Sequence, residues 1–188
     1  MSKGKIKWSG YEWLTQERFG PIHPKKSFNW YDPSAIEIRD GKLILKTQYN
    51  PKTFTIEGEE IESPIGIGLV SNTTRLKYGY FEIEAMLPTG KNLWPAFWMW
   101  GFDSWPPEID VFEAYSSSRL KTYLQINFPK IYNFWKIETN FYYNTSDNPK
   151  STGSVKKFLG LKTHKRILSN MLVFGKKIKL LSFMMVKK

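Results

Sequence analysis

The 188-residue sequence predicts an all-β fold of the sandwich or jelly-roll type. Three observations carry that expectation. Short alternating or continuously apolar runs recur from Trp8 to Lys150, each bounded by turn residues. Thirteen Gly and eleven Pro are spread along the chain, as in turn-rich β proteins. Helical periodicity is weak over the same region.

The elements follow in order. AIEIRDGKLILKT (35–47) reads as a hairpin, with Ile36 and Ile38 on one arm, a turn at Asp40-Gly41, and Leu43 and Leu45 on the other. YGYFEIEAMLP (78–88) alternates Phe81, Ile83 and Ala85 against Glu82 and Glu84, a strand with one face covered. LWPAFWMWG (93–101) is a nearly continuous apolar strand. After a turn at 103–107 comes EIDVFEAY, and then LKTYLQINF (120–128), which sets Tyr123, Gln125 and Asn127 on one face. No internal repeat is present.

Composition limits the chemistry. Without cysteine there is no disulfide and no thiolate zinc site, and His23 and His164 are too few for a multi-histidine metal site. His23, in GPIHP, reads as a structural loop residue. The start, MSKGKIKWSG, has no apolar signal-peptide core, and no apolar run is long enough to span a membrane.

The net charge of +11 suggests a nucleic-acid binder until its distribution is considered. Residues 151–188 hold ten Lys/Arg and no acid, leaving 18 basic and 17 acidic residues in 1–150. All eight Trp and all ten Tyr also lie in 1–150. The expected organisation is therefore a balanced, aromatic-rich domain over 1–150 and a basic tail over 151–188.

EIDVFE (108–113) places three acids in an apolar strand. Residues two apart share a face, so Glu108 and Asp110 point together and Glu113 points away. One extra residue between Asp110 and Glu113, a β-bulge, would return Glu113 to their side. Asp110 would then raise a neighbour's pKa by repulsion or share a proton with it, leaving one ionised and one protonated carboxyl at neutral pH. The six residues alone leave open a second reading, an acidic strand face exposed to water.

The stretch from Tyr78 to Tyr115 resembles glycoside hydrolase family 16. YGYFEIEAMLP and GKNLWPAFWM are similar to two of its strands, and EIDVFE to its E-x-D-x-x-E motif in the bulged, laminarinase-like form. RDGKLILKT upstream resembles its DG-x-L-x-L hairpin. The likeness covers about 8–150. It implies a concanavalin-like β-jelly roll of two antiparallel sheets with a glycan cleft on the concave face, incomplete at its C-terminal end.

The resemblance also implies roles. Glu108 is the nucleophile, Glu113 the acid and then the base, and Asp110 orients and tunes the nucleophile. Trp98 and Trp105 match sugar-stacking positions, whereas Trp94 or Trp100 is expected in the core. Gln125 and Asn127 in LQINF match polar residues that reach substrate. The implied activity is endo-acting, retaining hydrolysis of a β-linked polysaccharide: β-1,3-glucan, mixed-linkage glucan or galactan. A non-catalytic glycan-binding jelly roll, a transglycosylase and an inactive truncated hydrolase are the alternatives. A nucleic-acid binder rests on tail charge alone. The expected partner is a polysaccharide, with no nucleic acid and no membrane, on a monomeric chain. The resemblance implies an extracellular protein, whereas the chain shows no signal peptide, which leaves the location open. No cofactor is expected, and a structural calcium, common in the family, has no ligands that the sequence places.

The family's later strands, including a piece like W-x-x-(D/N)-x-I-x-F-Y-x-DG-K, are not visible after 150. The genetic code offers a reason. Joining the third base of each codon to the first two of the next turns Phe183–Met184 into Tyr or His. Met184–Met185 becomes Asp, and Met185–Val186 becomes Gly. The expectation is that the tail is an out-of-frame translation beginning near 145–165. The alternative is a true basic tail that binds anionic surfaces.

Overall fold

A computed structural model of the chain describes residues 4–17, 20–23, 28–88, 92–101, 103, 105–116, 134–143, 151–152, 156–161 and 166–186. The first strands are β1 (Lys5–Trp8), β2 (Tyr11–Leu14), β3 (Asn29–Tyr31), β4 (Ile36–Arg39), β5 (Lys42–Leu45), β6 (Thr47–Ile56) and β7 (Glu59–Ile67). Then come β8 (Leu69–Met86), β9 (Leu93–Gly101), β10 (Glu108–Ser116), β11 (Phe134–Tyr143), β12 (Ser151–Thr152), β13 (Lys156–Leu161) and β14 (Arg166–Val186). A 3-10 turn at Pro33–Ala35 is the helical element among the described residues. The fold is all-β, as the sequence predicts.

Two compact units divide the chain, one built mainly on residues up to Thr74 and on Lys179–Val186, the other on Arg75–Ile178. The second unit runs across position 150, where composition changes.

In the first unit, three hairpins turn on residue pairs with positive φ: Ser9-Gly10, Asp40-Gly41 and Glu57-Gly58. A tight turn that matches strand twist needs this left-handed backbone at both central residues, and the second is Gly each time. The hairpin expected at Asp40-Gly41 forms in the expected register, with Ile36 opposite Leu45 and Ile38 opposite Leu43. Strand β7 pairs antiparallel with β6 and parallel with β3. The parallel pair departs from the all-antiparallel expectation, because three strands, β4, β5 and β6, lie between β3 and β7 rather than one tight turn.

Asp32 anchors this unit from a buried position. It caps the 3-10 turn by accepting from Ser34 N at 2.9 Å, and it accepts from Ser34 Oγ at 2.6 Å, Gln48 Nε2 at 2.9 Å and Asn50 Nδ2 at 2.7 Å. Burial pushes its carboxyl up, but the hydrogen bonds from Ser34, Asn50 and Gln48 outweigh that and hold it below the usual value.

In the second unit the strand order is β8-β14-β9-β10-β11, with β12 and β13 both on β11. Strand β8 shows the expected alternation: Phe81 is buried, whereas Glu82 and Glu84 are exposed. Strand β9, the expected apolar strand, is covered on both faces. Phe97 and Met99 are buried on one face and Trp100 on the other. Phe97 lies opposite Phe112, and these residues with Met99, Val111 and Ala114 form the apolar support under β10. Each large side chain so buried contributes about 1.5–3 kcal/mol.

Candidate active site

Strand β10 is paired on both sides, with β9 and with β11. Along β9, Glu108 lies opposite Trp100, Asp110 opposite Trp98 and Glu113 opposite Ala96. Along β11 the partners are Tyr142, Asn140 and Glu138. Directly opposed residues share a face. Ala96, Trp98 and Trp100 are spaced by two and share one face of β9. Glu138, Asn140 and Tyr142 do the same on β11. Glu108, Asp110 and Glu113 therefore share one face of β10, although 110 and 113 are three residues apart. Both ladders register the cause, a bulge between Asp110 and Phe112 on the β9 side and between Asp110 and Glu113 on the β11 side. The hydroxyl of Thr139 donates to the carbonyl of Val111 inside the bulge at 3.3 Å, giving a displaced backbone oxygen a partner.

The three carboxyls have different surroundings. Glu108 is half-buried and its Oε2 accepts from Trp105 Nε1 at 2.7 Å. Asp110 is buried. Burial, then the charges of Glu113 and Glu108, push its carboxyl up to about 8, and a hydrogen bond with Glu113 acts in the same direction. A hydrogen bond from Asn140 opposes them. Asp110 Oδ2 has no hydrogen-bond partner among the described residues, a position that a neutral acid tolerates far better than an ion. Glu113 is half-buried and its Oε2 accepts from Asn140 Nδ2 at 2.6 Å. Burial and the neighbouring charges thus favour a protonated Asp110 within a cluster of three acids.

The resemblance assigned Asp110 to orienting the nucleophile Glu108. In the structure Asp110 acts on Glu108 through charge, and its hydrogen bonds include Glu113 and Asn140.

The tryptophans separate as follows. Trp100 is core, and Trp98 is half-buried with its ring 5.8 Å from that of Trp100. Trp105 is 43% exposed and leans on Tyr142, ring centroids 5.8 Å apart. Its indole therefore serves two purposes, a hydrogen bond to Glu108 and an open aromatic face. Gln125 and Asn127 lie outside the described residues. The strand paired with β10 is β11, and it brings Asn140 and Tyr142 to the carboxyls. Sequence reasoning missed both, although the alternation of Glu138, Asn140 and Tyr142 in FWKIETNFYY was there to find. Burial, then the charges of Asp110, Glu113, Glu108 and Glu138, raise the Tyr142 phenol to about 12, so it remains a neutral donor. Among the described residues, no group of three or more His, Asp or Glu is arranged to hold a metal ion.

Comparison with known proteins agrees with this picture. No protein-family profile matches the chain. Endo-1,3-1,4-beta-glycanase EglC of Rhizobium meliloti is 27% identical over 118 residues, covering 57% of this chain and 25% of its own length. The beta-glucanase of Rhodothermus marinus is 33% identical over 117 residues, covering 55% of this chain and 35% of its own. The chain thus spans about a quarter to a third of these curated relatives. A LamA variant of Z. galactanivorans, solved with laminaritriose and laminaritetraose, superposes with a TM-score of 0.61 at 15% identity, covering 99% of this chain and 85% of that one. Fold and relatives define the class: an all-β homologue of endo-acting β-glucan hydrolases. Within that class its motifs resemble those of glycoside hydrolase family 16.

Proposed function

We propose that the chain is an endo-acting glycoside hydrolase that cleaves β-linked polysaccharide by retaining double displacement. The observation that supports it most is the β10 bulge, which puts Glu113 on the same face as Glu108 and Asp110. A retaining glycosidase needs a nucleophile and an acid on one face of a cleft.

Glu108 attacks the anomeric carbon as Glu113 protonates the glycosidic oxygen. The C–O bond breaks and a glycosyl ester forms on Glu108. Glu113, now ionised, takes a proton from water, whose oxygen displaces Glu108 and restores the starting configuration. Asp110 keeps a proton within the cluster, so that one acid can be neutral while another is charged. Trp105 holds Glu108 and offers its face to a sugar ring.

Relatives named as β-1,3-1,4-glycanase and β-glucanase favour β-1,3- or mixed-linkage glucan as the substrate class. The test is reducing-end release from laminarin, mixed-linkage β-glucan, agarose and carrageenan by the wild-type chain and by Glu108→Gln. Cleavage of a glucan that disappears with Glu108→Gln is the expected result. Cleavage that survives the substitution overturns the assignment of Glu108, and binding without cleavage favours a glycan-binding jelly roll.

A further inference from the structure

Asn140 is 7% exposed and sits on β11 directly opposite Asp110. Its Nδ2 donates to Glu113 Oε2 at 2.6 Å. This diagonal reach depends on the bulge, because a regular strand would turn Glu113 to the other side of the sheet. The same side chain hydrogen-bonds Asp110, which Glu113 also hydrogen-bonds. One neutral amide thus contacts two acids that themselves touch.

The residue type matters here. An amide nitrogen carries two N–H donors and no charge at any working pH. A carboxylate at 140 would add a fourth acid to the cluster, and an ammonium would hold both neighbours ionised. With Oε2 occupied as an acceptor from the amide, the proton of a neutral Glu113 is left to Oε1. We propose that Asn140 is a positioning residue that clamps the Glu113 carboxyl beside Asp110, so that Glu113 presents its proton from Oε1 in one fixed orientation. This rests on the glycosidase reading above.

The experiment compares the wild-type chain with Asn140→Ala and with the near-isosteric Asn140→Asp. It uses two readouts: the pH profile of kcat and KM on soluble β-glucan, and titration of the Asp and Glu carboxyls by carbon-13 NMR. Loss of a hydrogen bond to a charged group should lower kcat by about ten- to a hundredfold with KM within about twofold. With the Asn140 hydrogen bond to Asp110 removed, the basic limb of the profile should move to higher pH in both variants, further in Asn140→Asp. The Asp110 carboxyl should titrate later in both. A role in folding alone would lower the amplitude and leave the limb in place. An unmoved limb and an unmoved Asp110 titration overturn the proposal. A wild-type chain that cleaves no β-glucan, yet shows the NMR shift in the variants, supports the clamp and overturns only the glycosidase reading.

Discussion

Glu113 lies directly opposite Glu138 across the β10–β11 ladder, whereas Asp110, three residues before it, lies opposite Asn140, only two residues after Glu138. The mismatch of three against two is the bulge. It places the acid on the face that carries Glu108, and it lets Asn140 span Asp110 and Glu113. If Glu113 is the acid, Glu113→Ala should nearly abolish cleavage of glucan, whose leaving group needs a proton. An activated aryl glycoside, which needs none, should still be attacked. Added azide should then speed turnover and yield a β-glycosyl azide, detected by mass spectrometry. An α-azide would reverse the assignments of Glu108 and Glu113.

Asp110 makes stability depend on pH in an unusual direction. In the unfolded chain its carboxyl ionises near pH 4, and in the native state near 8. Between those values the native protein holds a proton that the unfolded one has lost. Stability from this group is therefore full below about pH 4 and declines as pH rises toward 8. Asp110→Asn removes the dependence. Its melting temperature should exceed that of wild type by a margin that grows from pH 4 to pH 8, while activity falls. Calorimetry at three pH values checks this, and a constant margin would show that Asp110 is ionised in the fold.

Trp105 joins aromatic surface to a hydrogen bond. Trp105→Phe keeps a ring beside Tyr142 but removes the Nε1 donor from Glu108. We expect kcat to fall about tenfold with little change in KM, since one hydrogen bond to a charged group is worth about 1.5–3 kcal/mol. Trp105→Ala should raise KM as well. Equal kinetics for Phe and Ala would separate the donor from any role of the ring.

Asp32 tests the first unit. Its carboxyl lies below the usual range, so the stability it contributes is present above about pH 4 and lost as pH falls through its native value. Asp32→Ala leaves the donors of Ser34, Gln48 and Asn50 without their acceptor. Because those residues are partly wetted, we expect a loss of about 2 kcal/mol at pH 7. The difference from wild type should shrink below pH 3, as thermal melts would show.

The out-of-frame reading of residues 151–188 is checked on the coding DNA. It predicts a shifted frame open across this stretch and encoding Tyr or His, then Asp and Gly, over the codons of Phe183 to Val186. Several stop codons in that frame would leave the basic-tail reading.

Much of the fold was legible because strand periodicity is local. Asp40-Gly41 marked a hairpin since few other pairs accept left-handed backbone at both positions. Phe81, Ile83 and Ala85 marked a covered face by simple alternation. Ser9-Gly10 and Glu57-Gly58 make the same kind of turn, yet their first residues are weak turn signals, and those hairpins went unread. The parallel pairing of β3 with β7 was also illegible, because it joins segments more than thirty residues apart through register alone.

The candidate site divides along the same line. From EIDVFE one could deduce that Glu108 and Asp110 face together and that a single inserted residue would recruit Glu113, since both follow from the two-residue repeat of a strand. Which strand lies beside β10 could not be deduced. LQINF drew attention as the polar strand after the motif, whereas the strand paired with β10 is FWKIETNFYY, which brings Asn140 to Glu113 and Tyr142 to Trp105. Periodicity decides where a side chain points. Only the pairing of distant strands decides what it meets, and the upward shift of the Asp110 carboxyl comes from that meeting, through burial and neighbouring charge.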